Sequence, residues 1–141
     1  MILPDVNVLL YAFRQDSPHH AEYRGWLEQL INADEAYGMA PQVLASVVRI
    51  STHPRIYLQP SKLEEALEFC HALTVPDTCT VVTPGSRHWE IFANLCRKSV
   101  ATGNLVQDAW FAALAVESGC EWATADRDYA RFPGLRWFTP F

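Results

Sequence analysis

Residues 103–129, GNLVQDAWFAALAVESGCEWATADRDY, constrain the fold of this chain more than any other segment. Positions 109–116 carry no polar side chain, and a helix apolar on every side is stable only inside a domain, packed against a sheet. Gly119 is a natural helix stop, and the apolar run 120–124 that follows is read as a strand returning antiparallel to the helix. A helix of about ten residues and a strand of about six both span roughly 15–20 Å, so the chain comes back to the level at which the helix began. Asp108, expected in the first turn of the helix, and Asp126, just beyond the strand, therefore finish on one edge. Taken singly, Asp108 is also what a helix dipole favours in a first turn, and Asp126 is an ordinary loop acid.

The other elements give these two acids a context. Residues 2–4 form a short apolar run ending at Asp5, read as a buried strand with Pro4 tolerated at its last position. Asn7 is the expected N-cap of a helix over 8–13. Ser17-Pro18 signals a second helix start, with Tyr23, Trp26, Leu27, Leu30 and Ile31 at helical spacing to about Asn32. A weak strand over 35–39 precedes a helix over 42–53, which Pro54 breaks. Ser61 and Glu64 have the spacing of a capping box, residues 80–83 read as a strand, Ser86 as a further cap, and the tail 132–141 as a turn and a last short strand. Strands alternate with helices throughout, without repeat or linker. The expectation is a single α/β domain over 1–141, with a mostly parallel central sheet and helices on both faces.

Composition removes several function classes. Half of the 141 residues are hydrophobic, enough for a full core, yet no run approaches a membrane span, and the N-terminus lacks a basic segment and cleavage site. A cytoplasmic protein without membrane contact is expected. Cys70, Cys79, Cys96 and Cys120 are scattered without zinc-ligand spacing and read as reduced thiols. A net charge of −5 argues against nucleic-acid binding through a broad basic surface. It leaves room for an enzyme that handles phosphate through metal ions.

In parallel α/β sheets, sites form beyond the carboxyl ends of the strands. Asp5 ends the first strand, Asp126 follows the fourth, and Asp108 reaches that edge on its helix. Three carboxylates at one edge repel one another unless a cation lies between them. Oxygen ligands without Cys or His favour a hard divalent ion, Mg²⁺ or Mn²⁺, and that pairing points to metal-assisted hydrolysis of a phosphodiester. No glycine-rich nucleotide cradle and no nucleophile elbow is present. On the helix over 42–53, Gln42, Ser46, Arg49 and His53 share one polar stripe. Either that stripe is a solvated face, or Ser46 stands at the rim of the metal site and Arg49 steadies a carboxylate or phosphate.

Four segments, LPDVNVLLYA, APQVLASVVRISTHPR, GNLVQDAWFAALAVESG and ATADRDYARFPGL, occur in this order along essentially the whole chain. Together they resemble the PIN-domain family, specifically the VapC-type toxins of bacterial toxin–antitoxin pairs. The resemblance implies a PIN-like three-layer sandwich and a Mg²⁺-dependent endoribonuclease. It implies a homodimer acting on RNA and a VapB-type antitoxin whose tail occupies the active-site groove. On it, Asp5, Asp108 and Asp126 match the metal-binding acids, and Asn7, Thr124 and Asp128 match polar positions near the site. The family usually carries a glutamate where Ser46 stands. Glu117 lies about 13 Å down the helix from Asp108 and cannot replace it. The missing charge opens an alternative, a catalytically weak PIN-like module that binds RNA or antitoxin. Arg14, Arg49, Arg97, Lys98 and Arg127 are the cations offered as phosphate contacts.

Overall fold

The structure, a computed structural model, describes residues 1–141. Five strands, β1 (Ile2–Pro4), β2 (Tyr37–Met39), β3 (Cys79–Val81), β4 (Glu121–Ala123) and β5 (Trp137–Phe138), form one sheet in the order β3-β2-β1-β4-β5. Every pairing is parallel, so the sheet is wholly and not merely mostly parallel. Six helices accompany it: α1 (Val6–Phe13), α2 (His20–Asn32), α3 (Pro41–Ser51), α4 (Leu63–Thr74), α5 (His88–Ser99) and α6 (Asn104–Ser118). A short 3₁₀ turn, Arg127–Arg131, follows β4. The sheet and its helices make the expected three-layer sandwich. Helix α1 packs on α2 and α3, α3 on α4, and α5 on α6.

The strand order reverses at β1. From β1 the chain steps outward to β2 and β3, then crosses back to β4 and β5 on the other side. The crevice between the carboxyl ends of β1 and β4 is thus a topological switch point, where open α/β sheets place their ligands. Register fixes what stands there. Pro4 pairs with Ala123, and the Asp5 amide donates to the Ala123 carbonyl at 2.8 Å, which sets Asp5 beside Thr124. Pro4, having no amide proton, is tolerated as the last residue of its strand.

The return from α6 into β4 follows its expected course. Gly119 takes the left-handed conformation at φ 70°, and Cys120 N–H donates back to the Ala115 carbonyl at 2.9 Å, closing the helix end as glycine caps do. Ala109 and residues 111–115 are buried, with Phe111 stacked on Trp122 of β4 at 5.8 Å between ring centroids. Each large apolar side chain so buried contributes about 1.5–3 kcal/mol, which is what holds α6 against the sheet.

The helix starts depart from their sequence signals. Asp5, not Asn7, caps α1, its carboxylate accepting from Val6 N–H. Helix α2 begins at His20 after a left-handed His19, three residues past Ser17. Lys62 and Arg87, rather than Ser61 and Ser86, precede α4 and α5, because the Ser61 hydroxyl is engaged by Arg14 and Glu117 binds the Gly85 and Arg87 amides. Helix α6 starts at Asn104, so Asp108 lies in its second turn, where the dipole argument for a first-turn acid no longer applies. All four cysteines are free thiols.

Candidate active site

A cleft of about 590 Å³ opens at the carboxyl edge of the sheet. Asp5, Asp108 and Asp126 all line it, together with Asn7, Ser46 and Arg49. Residues far apart in sequence are thus brought together by β1 and β4 pairing and by α6 lying across them.

Asp5 is 4 % exposed and held from three sides. Its Oδ1 accepts from Val6 N–H at 2.6 Å, and its Oδ2 accepts from the Thr124 hydroxyl at 2.6 Å and from Asn7 Nδ2 at 3.1 Å. Thr124, fully buried, also accepts from Asp126 N–H at 3.0 Å. Asn7 Oδ1 accepts from Ala125 N–H at 3.1 Å, so one amide side chain ties the end of β1 to the loop after β4. Thr124 and Asn7 therefore set the positions of both acids while lying beneath or beside them.

Burial pushes the Asp5 carboxyl up to about 7. The hydrogen bonds from Thr124 and Val6 oppose that shift, and the charges of Asp108 and Asp126 add to it. Asp108 is raised as well, again mainly by burial and then by the Asp126 charge, with Tyr129 partly offsetting them. The Tyr129 hydroxyl reaches Asp108 Oδ1 at 3.4 Å. Its own ionisation is driven far above the usual phenol range by burial and by the three carboxylates, so it remains a donor.

With the Asp108 and Asp126 charges raising Asp5, and the Asp126 charge raising Asp108, the site is short of positive charge. Its donors are all oxygen, the set a hard divalent cation prefers. No three His, Cys, Asp or Glu side chains are drawn together as a ready-made cation cage. That spacing is compatible with an ion such as Mg²⁺, which keeps several of its waters and needs few direct protein ligands. In charge and donor chemistry the residues present suit such an ion, and Asp5, Asp108 and Asp126 are those that would hold it.

Other expected residues fall in different places. Ser46 and Arg49 line the cleft on α3, and Arg49 takes part in no ion pair. His53, the last member of that stripe, instead accepts from Arg55 N–H. Asp128 is exposed and absent from the cleft lining; its backbone amide donates to Asp126 Oδ1 at 2.8 Å, so its clearest link to the site is through the main chain. Arg14 is corrected outright. It is 8 % exposed, four of its five N–H donors go to both Asp16 oxygens, Ser61 Oγ and the Gln59 carbonyl, and it does not line the cleft. Arg97, Lys98 and Arg127 do not line the cleft.

Tyr129, Gln107, Tyr11 and Tyr57 also line the cleft, and none of them stands out in the sequence as a site residue. Two of these left a trace. Gln107 adjoins Asp108, and Tyr129 follows Asp126 by one 3₁₀ turn, the spacing at which side chains eclipse.

Comparison with known proteins places these features in a family. A family model described as PIN domain matches residues 2–135. Ribonuclease VapC43 of Mycobacterium tuberculosis is 42% identical over 140 residues, covering 99% of this chain and 95% of the relative. Ribonuclease VapC31 of the same species is 39% identical, covering 99% of each. Among solved structures, VapBC2 from Rickettsia felis bound to a DNA fragment from its promoter superposes with a TM-score of 0.72 at 19% identity, over 99% of this chain and 98% of that one. The sarcin-ricin loop cleaving toxin VapC20 of M. tuberculosis gives 0.64 at 14% identity, over 96% and 99%. At such identities the two structures speak for the fold alone.

Proposed function

The chain belongs to the PIN-domain family, and from that membership we propose that it is a metal-dependent endoribonuclease, the toxin of a type II toxin–antitoxin pair. It hydrolyses RNA phosphodiester bonds to arrest growth, and a VapB-type antitoxin neutralises it. The observation that carries the reading is the convergence of Asp5, Asp108 and Asp126 on one cleft at the switch point of the sheet. The names of its relatives supply the substrate class and the kind of partner. We place its action in the cytoplasm, as a homodimer; no helix is long and apolar enough to cross a membrane.

The proposed ion is Mg²⁺, with Mn²⁺ as a substitute; when bound it activates water and neutralises charge developing on the phosphate. The chain's own residues do the rest. Thr124 and Asn7 orient the Asp5 carboxylate, Tyr129 restrains Asp108, and the Asp128 amide restrains Asp126. Arg49, free of any ion-pair partner on the cleft wall, is placed to pair with a substrate phosphate. Purified without antitoxin, the protein is expected to cut RNA in Mg²⁺ or Mn²⁺ and to stop in EDTA, and Asp5→Asn or Asp108→Asn is expected to abolish cutting. Cleavage that survives either substitution would remove the site assignment.

A second reading, an RNA- or antitoxin-binding module with weak chemistry, is favoured by one observation: the cleft position on α3 holds the Ser46 hydroxyl and no fourth acid. RNA binding without cleavage at any metal concentration would select it. If position 46 faces the ion, Ser46→Glu should tighten metal binding measured by calorimetry; an unchanged affinity would place Ser46 outside the site.

A further inference from the structure

Tyr57 sits in the loop between α3 and α4 and forms part of the wall of the cleft that holds Asp5, Asp108 and Asp126. The Arg14 guanidinium carbon lies 3.6 Å from the centroid of its ring. Arg14 does not line the cleft; it lines the neighbouring hollow with Asp16, Gln59 and Ser61. Tyr57 thus carries a guanidinium against one face of its ring while the residue itself forms part of the cleft wall. Arg14 is buried and fixed by four hydrogen bonds, so it holds the ring in place before any ligand arrives. A pre-ordered aromatic plane loses little side-chain entropy when something stacks on it.

An acidic chain acting on a polyanion needs affinity that does not come from phosphate charge. Net charge is −5, and Arg49 is the one Lys or Arg among the cleft-lining residues. Base–aromatic stacking supplies such affinity in single-strand binding, and a base is free to stack on protein only where it is unpaired. We propose that Tyr57, backed by Arg14, is a specificity-determining residue that stacks one unpaired nucleobase next to the scissile phosphate. This rests on the ribonuclease reading above.

The test uses the full chain and a short single-stranded RNA spanning a cut site mapped by end-sequencing of RNA digested by the wild type. A series of this RNA lacks one base at a time, and kcat/KM is measured for wild type, Tyr57→Phe, Tyr57→Leu and Tyr57→Trp. At one position, removing the base should slow the wild type by about 5- to 150-fold. The same removal should slow Tyr57→Leu little, because the stacking partner is already gone, while Tyr57→Phe and Tyr57→Trp should keep the penalty. Losses that multiply at every position would overturn the proposal and leave Tyr57 a packing residue. If Tyr57→Leu does not fold, Tyr57→Trp decides, since a folded variant with a larger plane and no abasic penalty contradicts stacking. An RNA series cut alike by wild type and Tyr57→Leu, with antitoxin binding weakened instead, would assign the wall to the protein partner and overturn the proposal. A wild type that cuts no RNA would overturn the ribonuclease reading itself, a failure distinguishable from the others because it precedes any comparison of variants.

Discussion

Folding moves the Asp5 carboxyl from its ordinary 3.8 to about 7, chiefly because burial removes its water. Between those values the unfolded chain has released the proton and the folded chain still holds it. Stability is therefore highest below the lower value and falls as pH rises through the upper one. In EDTA, the wild type should lose roughly 2–4 kcal/mol between about pH 4 and pH 7 relative to Asp5→Asn, whose amide does not titrate. Urea melts of both proteins across that range check it, and parallel curves would show that Asp5 is not held protonated. The substitution that destroys the proposed chemistry is thus expected to remove the pH dependence that Asp5 gives the metal-free fold.

Helix α6 and strand β4 act as one element, and their joint is Gly119. At φ 70° a residue with a side chain sits in the left-handed region at a cost of about 1–2 kcal/mol. Nothing lies within 4 Å of the position a Cβ would take, so conformation alone sets the effect. Gly119→Ala is expected to lower stability by about 1 kcal/mol, read as a fall in Tm, with kcat hardly changed. This joint was legible in the sequence because its signals are local: an apolar helix, a glycine, a returning strand. The helix starts were less so. Ser17, Ser61 and Ser86 all have the chemistry of N-caps, yet none caps, since Ser61 is taken by Arg14 and Glu117 satisfies the amides ahead of α5. A cap motif states what a side chain can do, and tertiary partners decide whether it does.

Across the whole molecule, the three carboxylates line one cleft, and the proposed cation would offset their charge. Mg²⁺ or Mn²⁺ at about a hundred times its Kd should stabilise the fold by about 2.7 kcal/mol, or roughly 5–10 °C in Tm. Thermal melts near neutral pH check this, and Asp5→Asn or Asp108→Asn should lose the shift. An identical shift in those variants would put the ion elsewhere. The convergence of Asp5, Asp108 and Asp126 could be read from element lengths and strand ends, because parallel sheets dictate where those ends lie. The cleft's aromatic lining could not. Tyr57 reaches it through a loop whose course depends on the buried Arg14, and Arg14 itself reads in sequence as one more surface cation.

The hydrogen bond from Ala125 to Asn7 joins residues 118 apart in sequence, and that separation is also an interval of time. At about 5–20 residues per second, a ribosome needs roughly 6 to 24 seconds to lay down that stretch. Until it has, β1 lacks its β4 neighbour, Asp5 lacks the Thr124 hydroxyl, and the cleft has no Asp126. The nascent chain therefore has no complete cleft while that stretch is unmade. The long reach between its first strand and its fourth sets the length of that interval.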